Sequence, residues 1–129
     1  MPASWRGKVS NRRQSAERRG HLAEFIALAC LRLKGYRLLA RRFKSPQGEI
    51  DLIMRRRDVT AFIEVKARNT RDQGVEAVTT TQSRRIAAAA RFWMARDKTA
   101  NRNFCRFDIV VVNAYFWPQH IENAFPGDA

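Results

Sequence analysis

The chain has 129 residues, 45% of them hydrophobic and 29% charged, which fits one globular domain and excludes a disordered chain. Twenty-five Lys and Arg stand against twelve Asp and Glu, for a net charge of +13 and a pI near 11.3. That excess points to a polyanionic partner, most simply nucleic acid, with an anionic membrane surface as the weaker alternative.

No apolar run approaches the roughly 18 residues of a membrane span, and the N-terminus has no secretory h-region. Cys30 and Cys105 lack C-x-x-C spacing and read as reduced core residues. A cytoplasmic protein is the expectation.

Residues 1–13 are polar, basic and aperiodic, and read as a flexible basic tail that adds phosphate affinity or is simply solvated. A single domain then spans 14–125, with a short tail at 126–129. The first helix is expected from about Gln14 to Leu33. Within Leu22–Leu31 the one charged residue is Glu24, on a stripe with Ala27, Leu28 and Leu31. A carboxylate on such a face needs a cation, a metal or a donor. Lys34-Gly35 ends the helix. Tyr36 to Phe43 alternates imperfectly as a first strand, and Lys44 to Gly48 is a turn by composition.

Gly48 to Lys66 reads as a hairpin. Ile50, Leu52 and Met54 alternate with Glu49, Asp51 and Ile53, and Ala61, Ile63 and Val65 alternate with Phe62, Glu64 and Lys66. A turn at Arg57-Asp58 sets Arg56 opposite Val59, Asp51 opposite Glu64 and Glu49 opposite Lys66. Facing residues have Cβ atoms roughly 5 Å apart, so Asp51, Glu64, Lys66 and Glu49 should share one patch of one face. Two facing carboxylates repel unless a cation lies between them, and Mg²⁺ is commonly held by one or two carboxylates. A cross-strand ion pair is the plainer reading of the same residues.

Ala67 to Gly74 is a polar loop. A second helix runs from about Thr80 to Arg96, with Ile86, Ala89, Ala90 and Trp93 on its buried stripe and Gln82 in line with them. Its exposed arginines suit phosphate or simply solvent. Phe104 to Val112, nearly all apolar, is a central strand. His120 to Phe125 is an extra edge strand. His21 and His120 stand alone, without metal-ligand spacing. The order α-β-β-β-α-β makes an α/β sandwich with a mixed central sheet and a helix on each side.

G-E-I-D-L-I, F-I-E-V-K-A-R, the R-R-I of the second helix, R-F-D-I-V-V-V and H-I-E-N-A-F resemble the YraN-like family of small bacterial proteins over about residues 16–125. That family is similar to the PD-(D/E)xK nuclease superfamily, which has the restriction-endonuclease-like fold shared with archaeal Holliday-junction resolvases. The resemblance implies metal-binding carboxylates at Asp51 and Glu64, a catalytic lysine at Lys66, and a further metal-directed carboxylate at Glu24. Many relatives carry a lysine where Gln82 stands; a glutamine there can still position water or phosphate but brings no charge.

The resemblance leads to the expectation of a Mg²⁺- or Mn²⁺-dependent DNA endonuclease, resolvase-like, acting on structured or branched DNA, with Asp51, Glu64 and Glu24 at the metal. Arg55, Arg56, Arg57, Arg68, Arg84, Arg85 and Arg91 would hold the nucleic-acid backbone. The alternatives are a non-catalytic nucleic-acid-binding module of the same fold and a protein adaptor whose charge serves solubility. A resolvase acting on a two-fold junction would work as a dimer.

Overall fold

The structure is a computed structural model and describes residues 3–99 and 102–127, with side chains from Arg18 onward. Its elements are α1 (Ala3–Leu33), β1 (Arg37–Lys44), β2 (Glu49–Arg56), β3 (Val59–Ala67), α2 (Arg71–Glu76), α3 (Thr80–Met94), β4 (Phe104–Val112) and β5 (Pro118–Ile121). The five strands lie in sequence order, antiparallel except where β3 runs parallel to β4. A mixed α/β fold with a central sheet is therefore what the chain forms.

A helix covers each face of the sheet. Ala23, Ala27, Leu28 and Leu31 of α1 bury their stripe against Leu52, Met54, Ala61, Ile63, Val110 and Val112. Ile86, Ala87, Ala89 and Ala90 of α3 pack on Ile50, Ile53, Phe62 and Phe107. Alternation along β3 and β4 divides these side chains between the two cores.

Helix α1 ends at Gly35, whose φ of 93° lies in the left-handed region. Tyr36 N–H donates to Leu31 O and Gly35 N–H to Arg32 O, the paired bonds of a Schellman cap. The turn before β2 is fixed by close approach: a Cβ on Gly48 would lie 2.8 Å from the carbonyl oxygen of Arg85. Only glycine lets the start of the G-E-I-D strand sit against α3 without a shift.

Several expectations change. Helical backbone starts at Ala3 rather than Gln14, so residues 3–13, expected as a tail, extend α1. The loop after β3 contains the short helix α2, capped by Thr70, whose hydroxyl accepts from Gln73 N–H. The edge strand is Pro118–Ile121 and not 120–125. Asn123, at φ 52°, turns the chain, and its N–H donates to Asp108, leaving Phe125 to pack on Phe107. Cys105 is exposed and Cys30 only partly buried, so neither is a full core residue, though both are free thiols. The imperfect alternation of β1 reflects a bulge between Leu38 and Ala40.

Candidate active site

The β2–β3 hairpin has the register expected from its turn: Arg56 faces Val59, Met54 faces Ala61 and Leu52 faces Ile63. The ladder stops there, and the strands part. Ile50 and Ile53 both pack into the α3-side core, so β2 departs from strict alternation around Asp51. Asp51 does not sit in a ladder pair with Glu64. It reaches into the gap instead, where Oδ2 accepts the N–H of Val65 at 2.8 Å. That bond satisfies a backbone donor the parted strand no longer serves.

The carboxyl groups of Asp51 and Glu64 lie close enough that each shifts the other's titration. Glu64, 6% exposed, accepts at Oε1 from Lys66 Nζ at 3.3 Å and from Gln82 Nε2 at 3.0 Å. Gln82 is delivered by the first turn of α3, where the Thr79 hydroxyl caps the helix by accepting its N–H. Four residues from three elements thus meet at the parted end of the hairpin.

The electrostatics record a shortage of positive charge. Burial raises the Glu64 carboxyl to about 8, and the nearby Asp51 carboxylate adds to the rise against the pull of Lys66. Burial also raises Asp51, opposed by the Val65 N–H. One ammonium faces two carboxyls, and both carboxyls are raised. Buried oxygen donors short of positive charge are the chemistry of a hard divalent cation site, so the pair fits Mg²⁺ or Mn²⁺.

The third expected ligand is not assembled with them. Arg42 Nε holds Glu24 Oε1 at 3.1 Å, although the Glu24 charge still reaches Asp51 and raises it. Among the described residues, no three His, Cys, Asp or Glu side chains converge as an ion cage. Glu49 also leaves the cluster: it is exposed and lines an opening with Arg85 rather than facing Lys66.

The seven arginines separate into groups. Arg57, Arg68, Arg84, Arg85 and Arg91 are exposed. Arg55 is engaged inside, with Nη2 on Asp97 Oδ2 at 2.8 Å and Nε on Thr60 Oγ1 at 3.1 Å. Arg56 lies over the Tyr36 ring at 4.7 Å and donates to Lys34 O.

Sequence reasoning passed over a second polar cluster. Asp108, fully buried, accepts from Arg106 and pairs with His120 Nε2 at 2.8 Å, while Tyr36 OH meets Arg106. The i, i+2 spacing of Arg106 and Asp108 on one strand face was a signal for it. Hydrogen bonds from His120, Arg106 and the Asn123 N–H hold the Asp108 carboxyl low despite its burial. His120 is thus a structural partner that locks β5 to β4.

Comparison with known proteins gives the family. The model for the uncharacterised protein family UPF0102 matches residues 23–112. The chain belongs to this family, the YraN-like proteins. A UPF0102 protein of Chelativorans sp. (strain BNC1) is 52% identical over 88% of this chain and 91% of its own. One from Mesorhizobium japonicum is 51% identical over 93% and 96%, and one from Agrobacterium fabrum 51% over 90% and 95%. The matched region contains Glu24, the whole hairpin and Gln82. No helix among the described residues is long and apolar enough to cross a membrane.

Proposed function

We propose that this UPF0102 protein is a Mg²⁺- or Mn²⁺-dependent DNA endonuclease of resolvase type, hydrolysing a phosphodiester at the Asp51–Glu64–Lys66 cluster. The observation that carries the reading is the carboxyl pair, with Glu64 buried and Asp51 half-buried, short of positive charge and flanked by an ammonium. A divalent ion bound between Asp51 and Glu64 would supply Lewis acidity and neutralise phosphate charge.

The chain's own groups do the rest. Lys66 Nζ, 16% exposed at the rim, orients water or steadies charge developing on the phosphate. Gln82 fixes the Glu64 carboxyl and so aims its second oxygen. Exposed arginines hold the backbone without reading bases. The expected partner is structured or branched DNA, in an enzyme of the restriction-endonuclease-like class.

One feature favours the alternative, a nucleic-acid-binding module that does not cut. The amide of Gln82 occupies Glu64 without adding charge, so α3 brings no cation to the carboxyl pair at this position.

Incubation of the intact protein with branched, flapped and linear DNA, with Mg²⁺ or Mn²⁺, tests the proposal. Cleavage should appear and be abolished by Asp51→Asn, Glu64→Gln and Lys66→Ala. Salt-sensitive binding without cleavage of any substrate would leave the binding module.

A further inference from the structure

The connection from β4 to β5 carries three consecutive aromatic residues, Tyr115, Phe116 and Trp117, that are 89%, 55% and 72% exposed. A folded domain ordinarily buries such rings, each worth roughly 150–250 Å² of surface. This loop is held in place. Asn113 Oδ1 accepts from Tyr115 N–H at 2.9 Å and Trp117 N–H at 3.0 Å, and Phe116 N–H donates to Asn113 O at 3.0 Å. Phe116 sits at φ 60°, a left-handed conformation that a bulky residue seldom takes. Three rings therefore stand in water on a fixed and strained frame.

Their surroundings are cationic and border Lys66, the outermost residue of the candidate active site. Phe116 lines a cleft with Arg19, Arg68, Asn69 and Asn113. A neighbouring opening shares Arg19, Ala67 and Arg68 and extends to Lys66. Arg19, Ala67 and Arg68 thus line both openings, with Phe116 at one and Lys66 at the other. Both lie outside the carboxyl ends of the parallel strands β3 and β4, where Ala67 pairs with Val112. Open α/β sheets bind their ligands at such ends.

We propose that the Tyr115–Phe116–Trp117 loop is a base-stacking platform, and that the nucleic acid held at the active site carries unpaired bases beside the phosphate at Lys66. This rests on the nucleic-acid reading of the site and narrows its substrate class. Arginine beside exposed rings is the pairing that grips single strands: guanidinium groups hold phosphates while ring faces stack on bases. A continuous duplex keeps its base faces stacked inside and offers the rings nothing. The substrate is then a single strand, flap or fork rather than uninterrupted duplex.

The test uses the intact chain in EDTA, so that binding is read without cleavage. Affinity for a labelled single-stranded oligonucleotide and for the duplex of the same sequence is measured by fluorescence anisotropy. The proteins are the wild type, Tyr115→Ala/Trp117→Ala and the ring-preserving Tyr115→Phe/Trp117→Phe, their folding checked by circular dichroism. The alanine variant should bind the single strand at least about tenfold more weakly, as expected for lost base stacking. Duplex affinity, set by phosphate contacts, should change by less than about twofold, and the phenylalanine variant should match the wild type.

Equal losses on both nucleic acids, or no loss, would overturn the proposal. So would binding to phosphatidylglycerol vesicles that the alanine variant loses while keeping its oligonucleotide affinity, which would make the loop a membrane contact. Ring-dependent single-strand binding without cleavage in Mg²⁺ would sink the nuclease reading and leave the platform standing. Cleavage indifferent to the rings would do the reverse.

Discussion

Replacing Glu64 with glutamine should remove a pH dependence of stability that the metal-free wild type carries between about pH 4.5 and 8. In that window the folded protein retains a proton on Glu64 that the unfolded chain has released. The unfolded state then binds fewer protons, so stability falls as pH rises. The span from 4.5 to about 8 sets a ceiling of about 5 kcal/mol, and relaxation with water entry will reduce the measured loss to about 2–4 kcal/mol.

Glutamine is a close substitute. Its amide oxygen can accept from Lys66 and Gln82 as Oε1 does, and its N–H₂ can donate where a protonated carboxyl would. The assay is urea unfolding in EDTA at constant ionic strength across this pH range. His21 and His120 are common to both proteins, so their contributions cancel in the difference. Parallel profiles, or a wild type that gains stability relative to the variant as pH rises, would refute the assignment of a buried, charge-starved carboxyl pair.

Added Mg²⁺ at a hundredfold excess over its dissociation constant should stabilise the wild type by about 2.7 kcal/mol, read as a rise in Tm, and leave Asp51→Asn and Glu64→Gln unmoved. DNA affinity should fall steeply with salt, by about −0.9 in log–log slope per phosphate neutralised, and Arg68→Ala or Arg85→Ala should each flatten that slope by about one phosphate. Asp97→Ala should lower stability by on the order of 2 kcal/mol in urea unfolding, because Arg55 loses its charged partner beside Thr60. Hydrogen bonds from Thr99 and Arg55 hold the Asp97 carboxyl low, so this contribution is present above about pH 4 and disappears as pH falls further.

The hairpin was legible because its two strands alternate cleanly and its turn fixes register, which reproduces the pairs from Arg56–Val59 to Leu52–Ile63. Asp51 and Glu64 meet as expected, but for a reason the pattern does not contain. Ladder geometry would set them directly opposite, whereas Asp51 enters a gap to serve Val65 N–H. A break in pairing is a tertiary event, driven here by the packing of Ile50 on the α3 side. Gln82 was found because helical spacing aligns it with Ile86.

Glu24, on its apolar stripe, is visible in the sequence as a carboxylate in need of a partner. That partner, Arg42, lies in a strand whose bulge shows in the sequence only as imperfect alternation, and its own left-handed φ of 48° has no sequence signature. Arg55 illustrates the opposite failure: a run of three arginines looks like one basic patch, yet strand alternation turns one inward to Asp97. The aromatic loop was visible only as a strand break at Trp117-Pro118.

The proton on Glu64 ties the cation to pH. With it in place, two carboxyls and the Lys66 ammonium balance to neutrality, and neither Lys66 nor Gln82 has to move. A divalent ion between Asp51 and Glu64 requires both as carboxylates, so binding must expel that proton. Below about pH 8 apparent cation affinity should therefore rise by nearly tenfold per pH unit, levelling off above it. Calorimetric titration of Mg²⁺ or Mn²⁺ in buffers of different ionisation heat measures the proton released per ion. Release approaching a full proton at about pH 6.5, and little at about pH 9, is the expected result. Binding without proton release would mean that the ion sits elsewhere, at exposed groups such as Glu49, and that the carboxyl pair is only a feature of folding.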